Sequence, residues 1–156
     1  MKIIKQLLLA LLLFPCSLYS QTTDFTAEHL FTEGIEGPAT DKYGNLYAVN
    51  FEKEGTIGIV DKQGKAGLFS ELPEGSIGNG IRFDKKGNMF IADYKKHNVL
   101  LIPKKSNIAT VFAHESSANQ PNDLAISPAG LLFASDPNWK EGTGKLWRIE
   151  RNRFVL

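Results

Sequence analysis

Apolar positions in this chain change their spacing twice. Residues 7–14 are apolar without a break. From residue 30 onward, short apolar stretches alternate with turns rich in glycine, aspartate and asparagine, and the whole succession returns every 43 residues. Glu36-Gly37-Pro38-Ala39-Thr40-Asp41 leads through Gly44 and Asn45 to Tyr47 and Asn50. Asn79-Gly80-Ile81-Arg82-Phe83-Asp84 leads through Gly87 and Asn88 to Phe90 and Asp93. Asn122-Asp123-Leu124-Ala125-Ile126-Ser127 leads through Gly130 to Phe133 and Asp136. Each copy predicts a hairpin: a short strand ending at Asp41, Asp84 or Ser127, a tight glycine turn, and an apolar strand such as residues 89–92. Glycine supplies the positive φ of such turns, and Asp or Ser bonds its own backbone. Third strands are predicted at 57–60, 99–102 and 146–149, and fourth strands at 66–69, 109–112 and 154–156.

Four short strands per ~40–45 residues is the signature of a β-propeller blade. The expected fold is therefore all-β, a β-propeller with about three four-stranded blades. A generic antiparallel sandwich is the alternative, but it has no reason to keep a fixed interval. The third copy carries extra residues between Asp136 and Leu146, which predicts a longer loop bearing Trp139. That tryptophan reads either as a packed loop residue or as a ligand-facing aromatic.

The apolar run at 7–14 follows Lys2 and Lys5 and is broken by Pro15. Eight apolar residues are too few for a span of ~20, and the layout is that of a secretory signal peptide at residues 1–20, cleaved after Ser20. A buried N-terminal helix is the alternative. A lipoprotein anchor at Cys16 is disfavoured because Pro15 stands where a small residue is wanted. The protein is thus expected to be exported, periplasmic or secreted, with no membrane attachment after cleavage.

Residues 21–156 hold about three copies, whereas propellers typically have four to eight blades. The expectation is the N-terminal half of a β-propeller domain, a truncated ring. Two chains closing one ring, or a half ring with an open edge, are the alternatives. Leu30-Phe31 reads as an additional fourth strand with no blade to join.

Composition narrows the partners. Of 156 residues, 42% are hydrophobic and 22% charged, enough apolar content for a packed core. Eighteen Lys and Arg against 17 Asp and Glu leave a net charge of +1, without the excess of positive charge that nucleic-acid binding usually requires. A single cysteine excludes an internal disulfide framework and a cysteine-based zinc site.

Residues one repeat apart are rotated about a propeller's axis and point at a common centre. Glu36, Asn79 and Asn122 open the first strand of their copies, and each carries a side-chain oxygen. Oxygen donors of this kind suit a hard cation, calcium or another divalent ion. Asn79-Gly80 is also a common turn dipeptide, and Asn122-Asp123 follows Pro121 in a turn-rich stretch, so a purely structural reading stays open. Three ligands with one formal charge also fall short of the six to eight oxygens calcium takes.

The runs Ile35-Glu36-Gly37-Pro38, Asn79-Gly80-Ile81-Arg82-Phe83-Asp84 and Pro121-Asn122-Asp123-Leu124, with Phe133 and Asp136-Pro137, resemble the regucalcin (senescence marker protein) and gluconolactonase family over about residues 30–156. The resemblance implies a six-bladed propeller with one catalytic divalent metal, usually calcium, on its axis. It implies hydrolysis of a sugar-type lactone, Glu36 and Asn122 as metal ligands, and Asn79 as a ligand or a hydrogen-bond donor to water or substrate. Trp139 is the further substrate-binding candidate. The general base and a further aspartate ligand would come from the absent half, so this chain alone is expected to be inactive. Some lactonases of the family carry an arginine two residues before the second-blade asparagine, where this chain has Ile77. A phosphotriesterase-type hydrolase on the same site, and an exported platform that binds a sugar or protein without chemistry, are the alternatives. His114-Glu115 lacks the second histidine of a zinc-protease helix, and no Gly-x-Ser-x-Gly elbow occurs. Nothing suggests a nucleotide or redox cofactor. The oligomeric state is not legible.

Overall fold

The computed structural model describes residues 22–156. The anticipated signal segment, residues 1–20, lies outside the described residues. Twelve strands form three four-stranded antiparallel sheets, each a meander of neighbours in sequence order, and no helix occurs among the described residues. These are three blades of a β-propeller. Blade I is β1 (Ala39–Thr40), β2 (Leu46–Val49), β3 (Thr56–Val60) and β4 (Ala66–Glu71). Blade II is β5 (Gly78–Phe83), β6 (Met89–Asp93), β7 (Asn98–Ile102) and β8 (Thr110–His114). Blade III is β9 (Leu124–Ile126), β10 (Leu132–Asn138), β11 (Thr143–Glu150) and β12 (Arg153–Val155).

The turn chemistry explains why strands end where they do. Asp41 Oδ1 accepts from the backbone N–H of Tyr43 and Asn45, at 2.8 and 3.0 Å. Asp84 Oδ1 does the same for Lys86 and Asn88, both at 2.8 Å. Ser127 Oγ accepts from Leu131 N at 3.0 Å. In each turn the glycine three residues on (Gly44, Gly87, Gly130) has φ of 82–89° and donates to the carbonyl of the first residue. A side chain at that φ is strained, so one residue type recurs.

Packing explains why the middle strands read as unbroken apolar runs. All five residues of β6 are buried. Met89 and Ile91 join Tyr47, Val49, Ile57, Ile81, Leu100 and Ile102 in a core between blades I and II. Phe90 and Ala92 face the other way, into a second core with Val99, Leu132, Ala134, Trp147, Ile149 and Phe154 between blades II and III. A strand buried on both faces loses the period-2 alternation of a half-exposed one.

Two local expectations are corrected. Leu30-Phe31 is not left without a partner: Phe31 bridges Phe51, Glu52 N donates to the Leu30 carbonyl at 2.9 Å, and Thr32 N donates to the Asn50 carbonyl at 3.0 Å. The Phe31 ring fills the space over Gly58, where a Cβ would lie 2.8 Å from it. The extra residues of the third copy do not make a loose loop. They lengthen the β10–β11 ladder, which stays paired out to Asn138 and Thr143.

Candidate functional site

The three copies meet at the starts of their first strands. Blade II has a β-bulge there. Gly78 pairs with Asp93 and Ile81 with Ile91, so Asn79 and Gly80 together oppose Ala92. Blade III repeats it: Asn122 N donates to the Ser135 carbonyl at 2.8 Å, and Ser135 N donates to the Asp123 carbonyl at 3.0 Å. In blade I, Val49 N donates to the Glu36 carbonyl at 3.2 Å. Bulges of this kind re-aim a side chain and interrupt pairing.

The adjoining glycines bring these segments together. A Cβ on Gly37, whose φ is 58°, would overlap the Asn79 carbonyl. One on Gly80 would stand 2.9 Å from the Asn122 carbonyl, which accepts a hydrogen bond from Gly80 N at 2.7 Å. The backbones at Glu36-Gly37, Asn79-Gly80 and Asn122-Asp123 therefore run side by side around one mouth, as close as glycine permits.

The side chains at this mouth are lightly engaged. Among the described residues, Asn79 and Asn122 make no side-chain hydrogen bond, and Glu36 accepts only a 3.4 Å bond from Gly37 N. Glu36 is exposed and the two asparagines are half-buried. No group of three or more His, Cys, Asp or Glu side chains able to hold a metal occurs among the described residues. The candidate set has one such residue and two neutral amides. As a donor set it fits part of a hard-cation shell, with waters or further carboxylates needed to complete it.

A second set of equivalent residues ends the three copies. Asn50, Asp93 and Asp136 are buried, and each anchors the backbone two residues or so ahead of a mouth residue. Asn50 Nδ2 donates to the Gly34 carbonyl at 2.7 Å, ahead of Glu36. Asp93 Oδ1 accepts from Ile77 N at 3.1 Å, ahead of Asn79, while its Oδ2 accepts from Asn98 Nδ2 at 2.8 Å. Asp136 accepts from Asn119 N at 2.9 Å and Gln120 N at 2.6 Å, ahead of Asn122, and from Trp147 Nε1 at 2.9 Å. A buried carboxylate that accepts several N–H groups holds a crossover rigidly. The shared 43-residue interval was the available signal. Their depth was not.

Arg82 has no counterpart one repeat away, where Ala39 and Ala125 stand. Its Nη2 pairs with Asp123 Oδ1 at 3.0 Å and its Nη1 donates to the Ile81 carbonyl at 2.7 Å, so it ties blade II to blade III beside the mouth. Ile77, at the position of the family's arginine, is bound through its backbone to Asp93 and Tyr94. Trp139 sits at the tip of the β10–β11 hairpin, at the same end of the sheet as Asn122, and is 77% exposed. With β10 extending to Asn138, that tip stands ~10 Å beyond Ser135 at the strand rise of ~3.3 Å per residue. Among the described residues the tryptophan does not pack into a core.

No protein-family model matches the chain, and no curated protein matches it either. Solved structures do. Regucalcin from Agrobacterium tumefaciens, described as a calcium-binding protein, is 21% identical over 85% of this chain and 44% of its own, with a TM-score of 0.60. A gluconolactonase from Xanthomonas campestris is 14% identical over 75% of this chain and 44% of its own, with a TM-score of 0.62. A virginiamycin B lyase from Staphylococcus aureus is 14% identical over 81% of this chain and 45% of its own, with a TM-score of 0.60. At these identities the likeness establishes the propeller fold, which hosts more than one chemistry. The chain spans less than half the length of each.

Proposed function

We propose that the protein belongs to a hydrolase of the gluconolactonase type, which opens a sugar-type lactone at a divalent cation, calcium by preference, held at the mouth. The observation that carries this is the abutment of Glu36-Gly37, Asn79-Gly80 and Asn122-Asp123, with three oxygen-bearing side chains left without strong partners. Glu36 and Asn122 are assigned as ligands, and Asn79 as a ligand or as a donor to bound water or substrate. When bound, the cation supplies polarisation of the lactone carbonyl and stabilises the charge that grows on its oxygen. The two neutral amides reduce that positive charge less than carboxylates would. The buried Asp93 and Asp136 keep the mouth backbone from relaxing, so orientation costs little at the moment of reaction. Trp139 offers a flat apolar face to a sugar ring. Neither Asn79 nor Asn122 can act as a base, so the group that takes the proton of the attacking water is a further residue.

The test is lactone hydrolysis by the purified protein, assayed with calcium and with a chelator. Calcium-dependent turnover that is lost in Asn122→Ala, with folding intact, supports the assignment. Turnover indifferent to chelation and to Asn122→Ala overturns it. Ligand binding that survives chelation, with no turnover, identifies a binding platform instead.

A further inference from the structure

On the side of the sheets opposite the mouth, blades I and II enclose a cavity of about 620 Å³. Its floor is Tyr47, Phe69 and Phe83, with Met89 and Ile102 buried behind them. The rings stand edge to face, Tyr47 at 5.0 Å from Phe69 and 5.2 Å from Phe83. Lys42, Lys85, Lys86, Lys104 and Lys105 line the rim. Five lysines at one cleft are out of proportion to a chain whose net charge is +1.

The two acids that share the cleft do not answer them. Asp41 and Asp84 direct both carboxylate oxygens into their own turns, to Tyr43, Asn45 and Tyr47 and to Lys86 N and Asn88. Lys85 turns away to the Pro128 carbonyl at 2.7 Å. Among the described residues, the ammonium groups of Lys86, Lys104 and Lys105 have neither an ion pair nor a hydrogen-bond acceptor.

The next cleft around the ring shows that this is not a property of every blade junction. Between blades II and III the corresponding space is about 390 Å³; Lys85 and Lys86 border it as well, but Lys42, Lys104 and Lys105 do not. There β11 and β12 are joined by Arg151 and Asn152 alone, and the Arg151 guanidinium lies over the Phe112 ring at 5.0 Å. In the larger cleft the equivalent connector, residues 103–109, is longer. It carries Lys104 and Lys105 and is braced by Ser106 N to the Pro103 carbonyl at 2.9 Å and Lys104 N to Asn88 Oδ1 at 3.0 Å.

We propose that this lysine-rimmed cleft between blades I and II binds an aromatic organic anion, a planar ring system bearing a carboxylate or sulfonate. The aromatic floor takes the ring in offset or edge-on contact. The rim lysines take the acidic group, and the volume is in the range of small-molecule sites, ~300–1,000 Å³. The site is separate from the mouth and independent of the lactonase reading.

The probe is 2-naphthoate, with 2-naphthol as its uncharged counterpart, titrated calorimetrically into the purified protein. Naphthoate is expected to bind roughly tenfold or more tightly than naphthol, to weaken as salt is raised, and to be unaffected by chelators. The triple variant Lys86→Gln, Lys104→Gln, Lys105→Gln changes only exposed side chains and is expected to keep its melting temperature while losing naphthoate affinity by a similar factor. Asn122→Ala is expected to bind naphthoate as the parent does. Equal affinity for naphthoate and naphthol, full affinity in the triple variant, or no binding at millimolar naphthoate overturns the proposal.

Discussion

Trp147 Nε1 donates to Asp136 Oδ2 at 2.9 Å, and both side chains are buried. The same carboxylate accepts from the backbone of Asn119 and Gln120, so the crossover from blade II and the core indole of blade III share one acceptor. Asp93 does the equivalent for the previous crossover. The mouth is therefore positioned by residues that never touch it.

Removing such an acceptor leaves several buried donors unsatisfied. Asp93→Ala takes partners from Ile77 N, Lys96 N and Asn98 Nδ2. A loss of ~1–3 kcal/mol or more is expected, read as a lower urea midpoint with an unchanged slope. A cost below ~1 kcal/mol would show that water replaces the carboxylate.

Gly37→Ala should be as severe for a different reason. Its φ is 58°, and a methyl group there meets the Asn79 carbonyl, which is backbone and has little room to yield. The expected result is a markedly lower melting temperature and loss of any calcium-dependent stabilisation. Gly130→Ala, where φ is also positive but nothing lies within 4 Å, should cost less, and the difference between the two isolates the close approach.

Trp139→Ala should leave stability within ~0.5 kcal/mol of the parent, because the side chain is 77% exposed. If the tryptophan stacks on a sugar ring, affinity for a sugar lactone falls in the same variant. Unchanged affinity removes it from the site.

Alkaline pH should act through Tyr47. Burial, and then the charge and hydrogen bond of Asp41, push its hydroxyl up to about 12 from 10.0. The folded state thus retains a proton that the unfolded chain releases. This contribution is fully present below pH 10 and is lost as pH rises toward 12. Tyr47→Phe should flatten the denaturation profile in that window. Asp41 works at the other end. Burial opposes its ionisation, but hydrogen bonds from Asn45, Tyr43 and Tyr47 outweigh that and hold its carboxyl below 3.8, so its contribution disappears as acid protonates it.

The sequence by itself determined the blade. A 43-residue interval with Asp or Ser, glycine and an aromatic at constant phase leaves a four-stranded meander as its physical solution, because turn geometry and strand period are local properties. It also marked Glu36, Asn79 and Asn122 as equivalent. Tertiary structure alone decided the rest. Whether Asp93 and Asp136 are exposed or buried depends on which backbone N–H groups cross from the neighbouring blade. Whether residues 30–32 have a partner depends on the Phe31 ring finding Gly58. The extra residues of the third copy pair as ladder rather than loop because their backbone groups meet across the hairpin. The lysines of the cleft converge only once two blades stand side by side. Local chemistry is written along the chain, while burial and convergence are properties of distances between segments that no interval encodes.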